Sequence, residues 1–251
     1  MHRFYLPPEQ CHGKSLVLTG SEAHHARQVI RARRGDRVGV VDGAGHEFLC
    51  EVRELERDKV SLAIVEQRIQ PAPPCQLTLV QAVPKGKIME GIIQKATELG
   101  VFRIVPLLAE RVVAQLEDED AARKAAKWRL VAREAIKQCG SAWLPEVAAP
   151  LTPSQFLARK ESFELPLIAS LGSGSRPPRE YFRTFDAKYG RMPRSVCVWL
   201  GPEGDFTPAE TEMVLAHGAL PITLGRLILR TETAAIYCLS VLNYELQSPC
   251  P

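Results

Sequence analysis

The feature that most constrains the fold is a change of pattern at four residues, Pro71-Ala72-Pro73-Pro74. Because proline fixes its own backbone angle and lacks an N–H donor, this segment predicts a stiff linker. Short β-rich segments precede it, whereas apolar runs alternate with amphipathic helical segments after it. Such alternation predicts an α/β fold, with a mostly parallel sheet and helices on both faces. The sequence therefore predicts a small domain over residues 1–70 and a larger α/β domain over residues 75–251.

The small domain is predicted to be a β-barrel-like module around one helix. Its sequence Asp42-Gly43-Ala44-Gly45 predicts a hairpin, since glycine tolerates the positive φ angles of such turns. The stretch 21–33 carries apolar residues at Ala26, Val29 and Ile30, which predicts the helix. Strands are predicted from alternating or β-branched content at 3–6, 15–18, 36–41, 47–53 and 59–69.

The larger domain is predicted to hold strands at 77–83, 102–109, 165–171, 196–200 and 222–224, and helices at 88–99, 119–139, 207–218 and about 232–247. Thr207 and Glu210 form a capping box around Pro208, which predicts a helix start. The last helix has little polar surface. Because a helix that is apolar on all sides must be buried, it predicts packing inside the domain or in a homodimer.

Charge and cysteine usage exclude several classes of protein. The 32 basic and 29 acidic residues leave a net charge of +3, so the total does not indicate a nucleic-acid binder. Locally, the segment from His24 to Arg37 holds five arginines and one acid, which predicts phosphate contact or, alternatively, a solvated helix end. The seven cysteines form no C-x-x-C pair, so no metal site is expected and a reducing cytoplasm is favoured. We expect no signal peptide and no membrane span.

Two glycine-bearing loops are the strongest candidates for a ligand site. The first, Gly201–Phe206, follows the predicted strand 196–200, and the second, 224–233, precedes the last helix. Gly201 and Gly204 are expected to hold backbone geometry that a side chain would obstruct. In open α/β sheets, ligands bind outside the carboxyl ends of the strands, where both loops are predicted. Either loop alone is also compatible with an ordinary turn, but the pair favours a site. The sequence contains neither a P-loop nor a G-x-S-x-G motif.

The two loops also carry a resemblance to a known family. VWLGPEGDFTPAE (198–210) and LPITLGRLILRTETAA (220–235) resemble the C-terminal signature of the SPOUT methyltransferases, in particular the RsmE family of small-subunit ribosomal RNA uracil-N3 methyltransferases. Segments 2–4, 85–90, 94–100 and 135–140 extend the resemblance over nearly the whole chain. It implies a PUA-like RNA-binding N-terminal domain, a trefoil knot within about 165–251, S-adenosylmethionine as cofactor, and a homodimer.

The resemblance also implies a function and its residues: methylation of N3 of a uridine in the 16S RNA of the small ribosomal subunit. The implied cofactor-binding residues are Leu171, Leu200, Gly201, Pro202, Glu203, Gly204, Leu224, Gly225, Leu229, Thr231 and Thr233. The residues expected to bind RNA are Arg3, His25, Arg31, Arg33, Arg34, Lys85 and Lys87. Uracil N3 must lose a proton, which a positioned base or a nearby cation assists. Arg230 is the candidate cation, Glu232 the candidate base or a helix-dipole residue, and Arg111 a further catalytic candidate.

Two departures and two alternatives accompany this interpretation. Asp205 stands where the family usually has a second glycine, although aspartate is among the residues that adopt left-handed φ angles. Ser141-Ala142-Trp143 stands where the family tends to have an arginine shortly after Cys-Gly. The alternatives are a SPOUT methyltransferase acting on another base or on a ribose 2′-hydroxyl, and a non-enzymatic RNA-binding protein.

Overall fold

The structure, a computed structural model, describes residues 1–111, 118–172 and 174–247. The chain forms two compact units, Met1–Ala72 with Arg133–Leu144, and Pro73–Ala132 with Pro145–Pro251. Among the residues described, no helix is long and apolar enough to cross a membrane.

The first unit is built on a five-stranded sheet. Its strands are β1 (Arg3–Tyr5), β2 (Ser15–Thr19), β3 (Arg37–Val41), β4 (His46–Leu55) and β5 (Lys59–Ile69). They lie in the order β1-β3-β4-β5-β2. The β1–β3 pair is parallel, and the other pairs are antiparallel. Alternate strand residues such as Phe4, Leu16 and Leu18 fill the core beneath the sheet.

The predicted hairpin between β3 and β4 is confirmed. Gly43 and Gly45 have φ angles of 75° and 100°, which favour glycine. The buried carboxylate of Asp42 accepts hydrogen bonds from the backbone N–H groups of Ala44 (2.8 Å) and His46 (3.0 Å). An aspartate side chain that satisfies its own loop in this way fixes the turn.

The prediction of one helix over 21–33 is wrong in the length of the helix and in the burial of one of its apolar residues. The structure has an α-helix, α1 (Gly20–His24), then a π-helical turn, His25–Val29. The wider π turn changes the rotation per residue, so Val29 faces solvent with 65% of its surface exposed. Arg31 ends the segment with a left-handed φ of 56°.

The second unit contains a six-stranded sheet in which all pairs are parallel. Its order is β11-β9-β10-β6-β7-β8. The strands are β6 (Gln76–Ala82), β7 (Arg103–Leu107), β8 (Glu146–Val147), β9 (Leu165–Ala169), β10 (Ser195–Leu200) and β11 (Leu220–Ile222). The predicted mixed α/β fold with a parallel sheet is confirmed. The last strand ends two residues earlier than predicted, because Thr223 and Gly225 exchange hydrogen bonds in a turn.

The helices of the second unit are α2 (Ile88–Glu98), α3 (Asp118–Cys139), α4 (Pro153–Ala158), α5 (Pro178–Tyr189), α6 (Pro208–Ala216) and α7 (Thr231–Gln247). The final residues of α3 belong to the first unit. The predicted capping box at Thr207 and Glu210 is present. Helix α7 buries Ala235, Leu239 and Leu242 within its own unit but exposes Tyr237, so its burial inside the domain is incomplete, and its packing in a homodimer stays a prediction. The trefoil knot stays a prediction.

Candidate active site

A cavity lies at the carboxyl ends of β9 and β10 and is called the loop pocket here. Three segments contribute to its lining: residues 169–171 at the end of β9, residues 200–205 apart from Gly204, and seven residues before and within α7. The seven are Leu224, Gly225, Leu227, Ile228, Leu229, Thr231 and Ala234, so Arg230 and Glu232 do not line the cavity. It encloses about 620 Å³ of space free of protein atoms, part of which is open to solvent. This is the edge of a parallel sheet at which α/β proteins bind ligands.

The structure brings together nine of the eleven residues predicted for the cofactor. Those lining the loop pocket are Leu171, Leu200, Gly201, Pro202, Glu203, Leu224, Gly225, Leu229 and Thr231. Gly204 and Thr233 do not line it. Six lining residues were not predicted: Ala169, Ser170, Asp205, Leu227, Ile228 and Ala234. Most follow directly from their neighbours, since they sit in the same loops as predicted residues.

The first loop is a tight turn that closes over Gly201. The backbone N–H of Asp205 donates to the carbonyl of Pro202 at 2.9 Å. Asp205 adopts the left-handed φ of 60° that its residue type was expected to allow, and its carboxylate accepts from the N–H of Phe206 at 2.8 Å. A Cβ atom on Gly201 would lie 2.9 Å from Oδ1 of Asp205 and 3.2 Å from the nitrogen of Phe206. The loop therefore requires glycine at 201.

The expectation that Gly204 equally requires glycine is wrong. Its φ lies outside the left-handed region, and an added Cβ would meet only Cδ of Arg111, at an ordinary 3.6 Å. Gly201 does not have a left-handed φ either, so its requirement is steric and not conformational. Sequence reasoning could not separate the two, because the obstructing atoms at Gly201 come from the folded turn itself.

The second loop is held to the first through Thr231, the first residue of α7. Its buried hydroxyl donates to the carbonyl of Gly201 at 2.9 Å. Between Gly225 (φ 114°) and Thr231, the loop presents Leu227 and Ile228, which are 77% and 82% exposed. An apolar pair this exposed beside a pocket marks a contact surface for a ligand or another chain.

The three predicted catalytic residues take different positions around the loop pocket. Arg230 is exposed and forms no ion pair with any described residue, although its neighbours Leu229 and Thr231 both line the pocket. Glu232 is half-buried in the first turn of α7, where an acid also favours the helix dipole. Arg111 donates a hydrogen bond to the carbonyl of Gly204, which places its guanidinium against the first loop.

A buried carboxylate anchors the segment before Arg111. Glu210 is almost fully buried, and its two oxygens accept from the backbone N–H of Glu110 at 2.8 Å and of Thr207 at 2.9 Å. One side chain thus caps α6 and fixes the backbone next to Arg111. Burial raises the pKa of the Cys238 thiol to about 12 and also raises the pKa of Cys197, which does not favour either thiol as a nucleophile.

Five of the residues predicted to bind RNA are exposed cations without an ion pair to any described residue. Arg31, Arg33 and Arg34 follow the π-helical turn, where the N–H of Arg33 donates to Asp36 at 2.7 Å. Lys85 and Lys87 flank Gly86 in the loop after β6. Cations free of local carboxylates are available to phosphate groups.

Arg3 and His25 are more engaged inside the first unit. Arg3 lies 3.5 Å from the carboxylate of Glu47, and its guanidinium packs over Gly140, with only 28% of the side chain exposed. The ring of His25 meets Phe4 edge-to-face at 5.8 Å. We therefore expect these two to contribute less to RNA binding than the exposed arginines.

The segment that replaces the family's arginine has a structural use. Trp143 packs its ring against Gly45 and donates Nε1–H to the carbonyls of Gln70 (3.2 Å) and Pro71 (3.1 Å). The N–H of Ala142 donates to the side chain of Gln70 at 2.9 Å. These residues close the first unit around its hairpin.

Comparison with known proteins decides the family. A family model described as an RNA methyltransferase domain matches residues 71–243, and one described as an RNA methyltransferase PUA domain matches residues 18–65. Ribosomal RNA small subunit methyltransferase E of Bacillus subtilis is 33% identical over 236 residues, which cover 93% of this chain and 91% of that protein. The chain belongs to the ribosomal RNA small subunit methyltransferase E family. The family predicted from the two loops is therefore confirmed.

Solved structures of similar methyltransferases agree with this family assignment. A methyltransferase of Legionella pneumophila, determined with bound cofactor SAM, is 33% identical with a TM-score of 0.86, over 96% of each chain. Ribosomal RNA small subunit methyltransferase E of Neisseria gonorrhoeae, bound to S-adenosyl methionine, is 26% identical with a TM-score of 0.84, over 97% of each chain. The cofactor predicted from the sequence is the one that these two neighbours hold.

Proposed function

We propose that this protein transfers a methyl group from S-adenosylmethionine to N3 of a uridine in the 16S RNA of the small ribosomal subunit, in the cytoplasm. The observation that carries the proposal is the loop pocket, which two loops of an RNA methyltransferase family form at the carboxyl ends of parallel strands. A protein that only bound RNA would have no use for such a pocket.

The residues of the loop pocket fit an adenosine-containing cofactor. Its lining combines apolar side chains, including Leu171, Leu224 and Leu229, with the exposed backbone of two loops. Apolar walls suit the faces of a purine ring, and backbone N–H and C=O groups suit its polar edge. At Gly201 the missing side chain keeps this backbone accessible. When bound, the cofactor supplies a methyl group on a sulfonium, which is open to attack by a nucleophilic nitrogen.

The protein's own groups would handle the proton on N3. That imide proton is largely retained at neutral pH, so methylation requires its removal before or during attack. Arg230 carries a permanent charge and stands between Leu229 and Thr231, which both line the pocket, and we assign it the stabilisation of the developing anion. Glu232, in the same turn, is the candidate acceptor of the proton.

Mapping the product tests the proposal. The purified protein is incubated with radiolabelled S-adenosylmethionine and either immature small subunits or free 16S RNA, and the labelled nucleotide is identified. We expect label at N3 of one uridine. Label on another base or on a ribose 2′-hydroxyl supports the alternative enzyme, and RNA binding without any label supports the non-enzymatic one.

The exposed arginines give a prediction about RNA affinity. Replacing Arg31, Arg33 and Arg34 by alanine removes up to three phosphate contacts, so binding weakens and the slope of log K against log salt falls by up to about 2. Filter binding from low to high salt measures the slope. A matched variant that removes Lys160, Arg183 and Arg194, three exposed cations of the second unit, serves as the control. Equal slopes in the two variants would contradict a specific RNA surface.

The exposed side of α7 gives a prediction about assembly. Tyr237 is 48% exposed and lies one turn before the half-exposed Val241, so α7 presents an apolar surface away from its own domain. We propose that a second copy covers it, and light scattering should report about twice 27.8 kDa. Replacing Tyr237 and Val241 by glutamate should give a monomer, while Tyr189→Glu, an exposed tyrosine on α5, should not. A monomeric unmodified protein at micromolar concentration contradicts the dimer.

A further inference from the structure

A buried amide stands behind the loop pocket without lining it. Gln81 lies near the carboxyl end of β6, in register with Leu200 of β10, and is fully buried. Its Nε2 donates to the backbone carbonyl of Ala82 at 2.9 Å and to Oγ1 of Thr231 at 3.0 Å. Oγ1 of Thr231 in turn donates to the carbonyl of Gly201 at 2.9 Å.

These bonds form a chain with one direction, from the Gln81 amide through the Thr231 hydroxyl to the Gly201 carbonyl. Since Nε2 can only donate, it occupies a lone pair of the hydroxyl and leaves the hydroxyl proton for Gly201. Strand β6 lies inside the sheet, between β10 and β7, and is therefore a rigid support. One buried hydroxyl thus ties the first loop and the start of α7 to the centre of the sheet.

The other atom of the amide indicates why a glutamine stands there. Oε1 of Gln81 is buried and has no hydrogen-bond partner among the described residues. An unpaired buried oxygen is unfavourable, so an apolar side chain of similar size would fill this space at least as well. The useful part of Gln81 is then its N–H donors, and not the volume that it fills.

We propose that Gln81 and Thr231 are positioning residues, which set the spacing of the two loops for the cofactor, and that the Thr231 hydroxyl is not itself a ligand of the cofactor. The inference rests on the proposed function, because it assumes that S-adenosylmethionine occupies the loop pocket. It reassigns Thr231, whose hydroxyl is already committed to Gly201, and adds Gln81, which no sequence pattern singled out.

Three substitutions test the chain of bonds. Thr231→Val keeps the shape of the side chain but leaves the Gly201 carbonyl without its donor, whereas Thr231→Ser keeps the hydroxyl. Gln81→Met keeps the volume without the amide. We expect Thr231→Val to raise the Kd for S-adenosylmethionine at least tenfold, Gln81→Met about three- to tenfold, and Thr231→Ser less than about threefold. Because both bonds pass through one hydroxyl, combining Gln81→Met with Thr231→Val should add little.

Two measurements without ligand separate this role from simple destabilisation. Gln81→Met should melt within a few degrees of the unmodified protein, so it also serves if Thr231→Val does not fold. Amide hydrogen exchange should be faster at Asp205 and Phe206, whose N–H groups are bonded within the first loop, in Thr231→Val but not in Thr231→Ser. For each variant, kcat and the KM for S-adenosylmethionine are also measured, and a positioning role predicts that KM changes more.

The outcomes decide the two proposals separately. Unchanged affinity and exchange in Thr231→Val and Gln81→Met overturn the positioning role, as does a Thr231→Ser variant as impaired as Thr231→Val. If the unmodified protein binds no S-adenosylmethionine, the proposed function fails. Faster exchange confined to Thr231→Val and Gln81→Met would then still support the chain of bonds as the support of the loops.

Discussion

Replacing Gly201 by valine is expected to abolish binding of S-adenosylmethionine. Even the Cβ of an alanine would come within 2.9 Å of the Asp205 carboxylate and 3.2 Å of the Phe206 nitrogen. These atoms belong to the turn itself, so the first loop would have to open. Overpacking of this kind costs about 1–3 kcal/mol, and the two further methyl groups of valine enlarge the clash. We therefore expect the Kd to rise at least about 100-fold, measured by calorimetry on the folded variant.

The same loop offers a control for that experiment. At Gly204 the nearest atom to an added Cβ is Cδ of Arg111 at 3.6 Å, and the side chain of Arg111 is exposed and able to move. Gly204→Ala should therefore bind the cofactor within about threefold of the unmodified protein, because ordinary van der Waals contact needs no rearrangement. Equal losses of cofactor affinity in the variants at 201 and 204 would mean that the loop acts through its flexibility. A normal affinity in Gly201→Val would mean that the loop is not part of the cofactor site.

Replacing Arg230 by alanine is expected to slow methyl transfer at least about 100-fold in a single turnover, the lower end of the effect of a lost anion-stabilising group. Arg230 is exposed and free of ion pairs to described residues, and it stands between two residues that line the loop pocket. Its charge is therefore available to the uracil and is not used in holding the fold. The variant must first be shown to bind both cofactor and RNA.

Two companion variants make the result specific. Arg226 is another exposed arginine of the second loop without an ion pair to a described residue, so Arg226→Ala measures the effect of lost charge alone. Glu232→Gln removes a base but keeps the shape of the side chain. If Glu232→Gln slows methyl transfer about as much as Arg230→Ala, the result supports proton transfer by Glu232. If it only lowers the melting temperature slightly, the result supports a role of Glu232 in stabilising the helix dipole. A loss below about tenfold in Arg230→Ala would direct attention to Arg111 and Lys85.

The parts of the site that depend on local sequence could be predicted. Glycine, proline and a capping box mark turns and helix starts within a few residues, which is why the two loops and the start of α6 lie where the pattern predicts them. The left-handed conformation of Asp205 follows from its residue type as well. The sequence T-P-S-Q at 152–155 carries the same capping signal for α4, which could have been found.

The parts of the structure that depend on contacts between residues far apart in the chain could not be predicted. Gln81 becomes important only because Thr231, 150 positions later in the chain, lies beside it in the fold. The difference between Gly201 and Gly204 likewise depends on which atoms surround each Cα after folding. Residue propensity alone also does not distinguish the π-helical turn after α1 from a longer α-helix.

The first unit is built from two separate stretches of the chain, Met1–Ala72 and Arg133–Leu144, and this affects how it forms during translation. Its hairpin residue Gly45 donates its N–H to the carbonyl of Ala142 at 2.9 Å, and buried Lys137 pairs with Glu22 at 2.9 Å. At about 5–20 residues per second, the ribosome adds residues 133–144 several seconds after residue 72. During that interval the nascent sheet lacks these partners. The N-terminal sheet is thus made first but completed late, and a chain that stalls before residue 133 carries an unfinished domain.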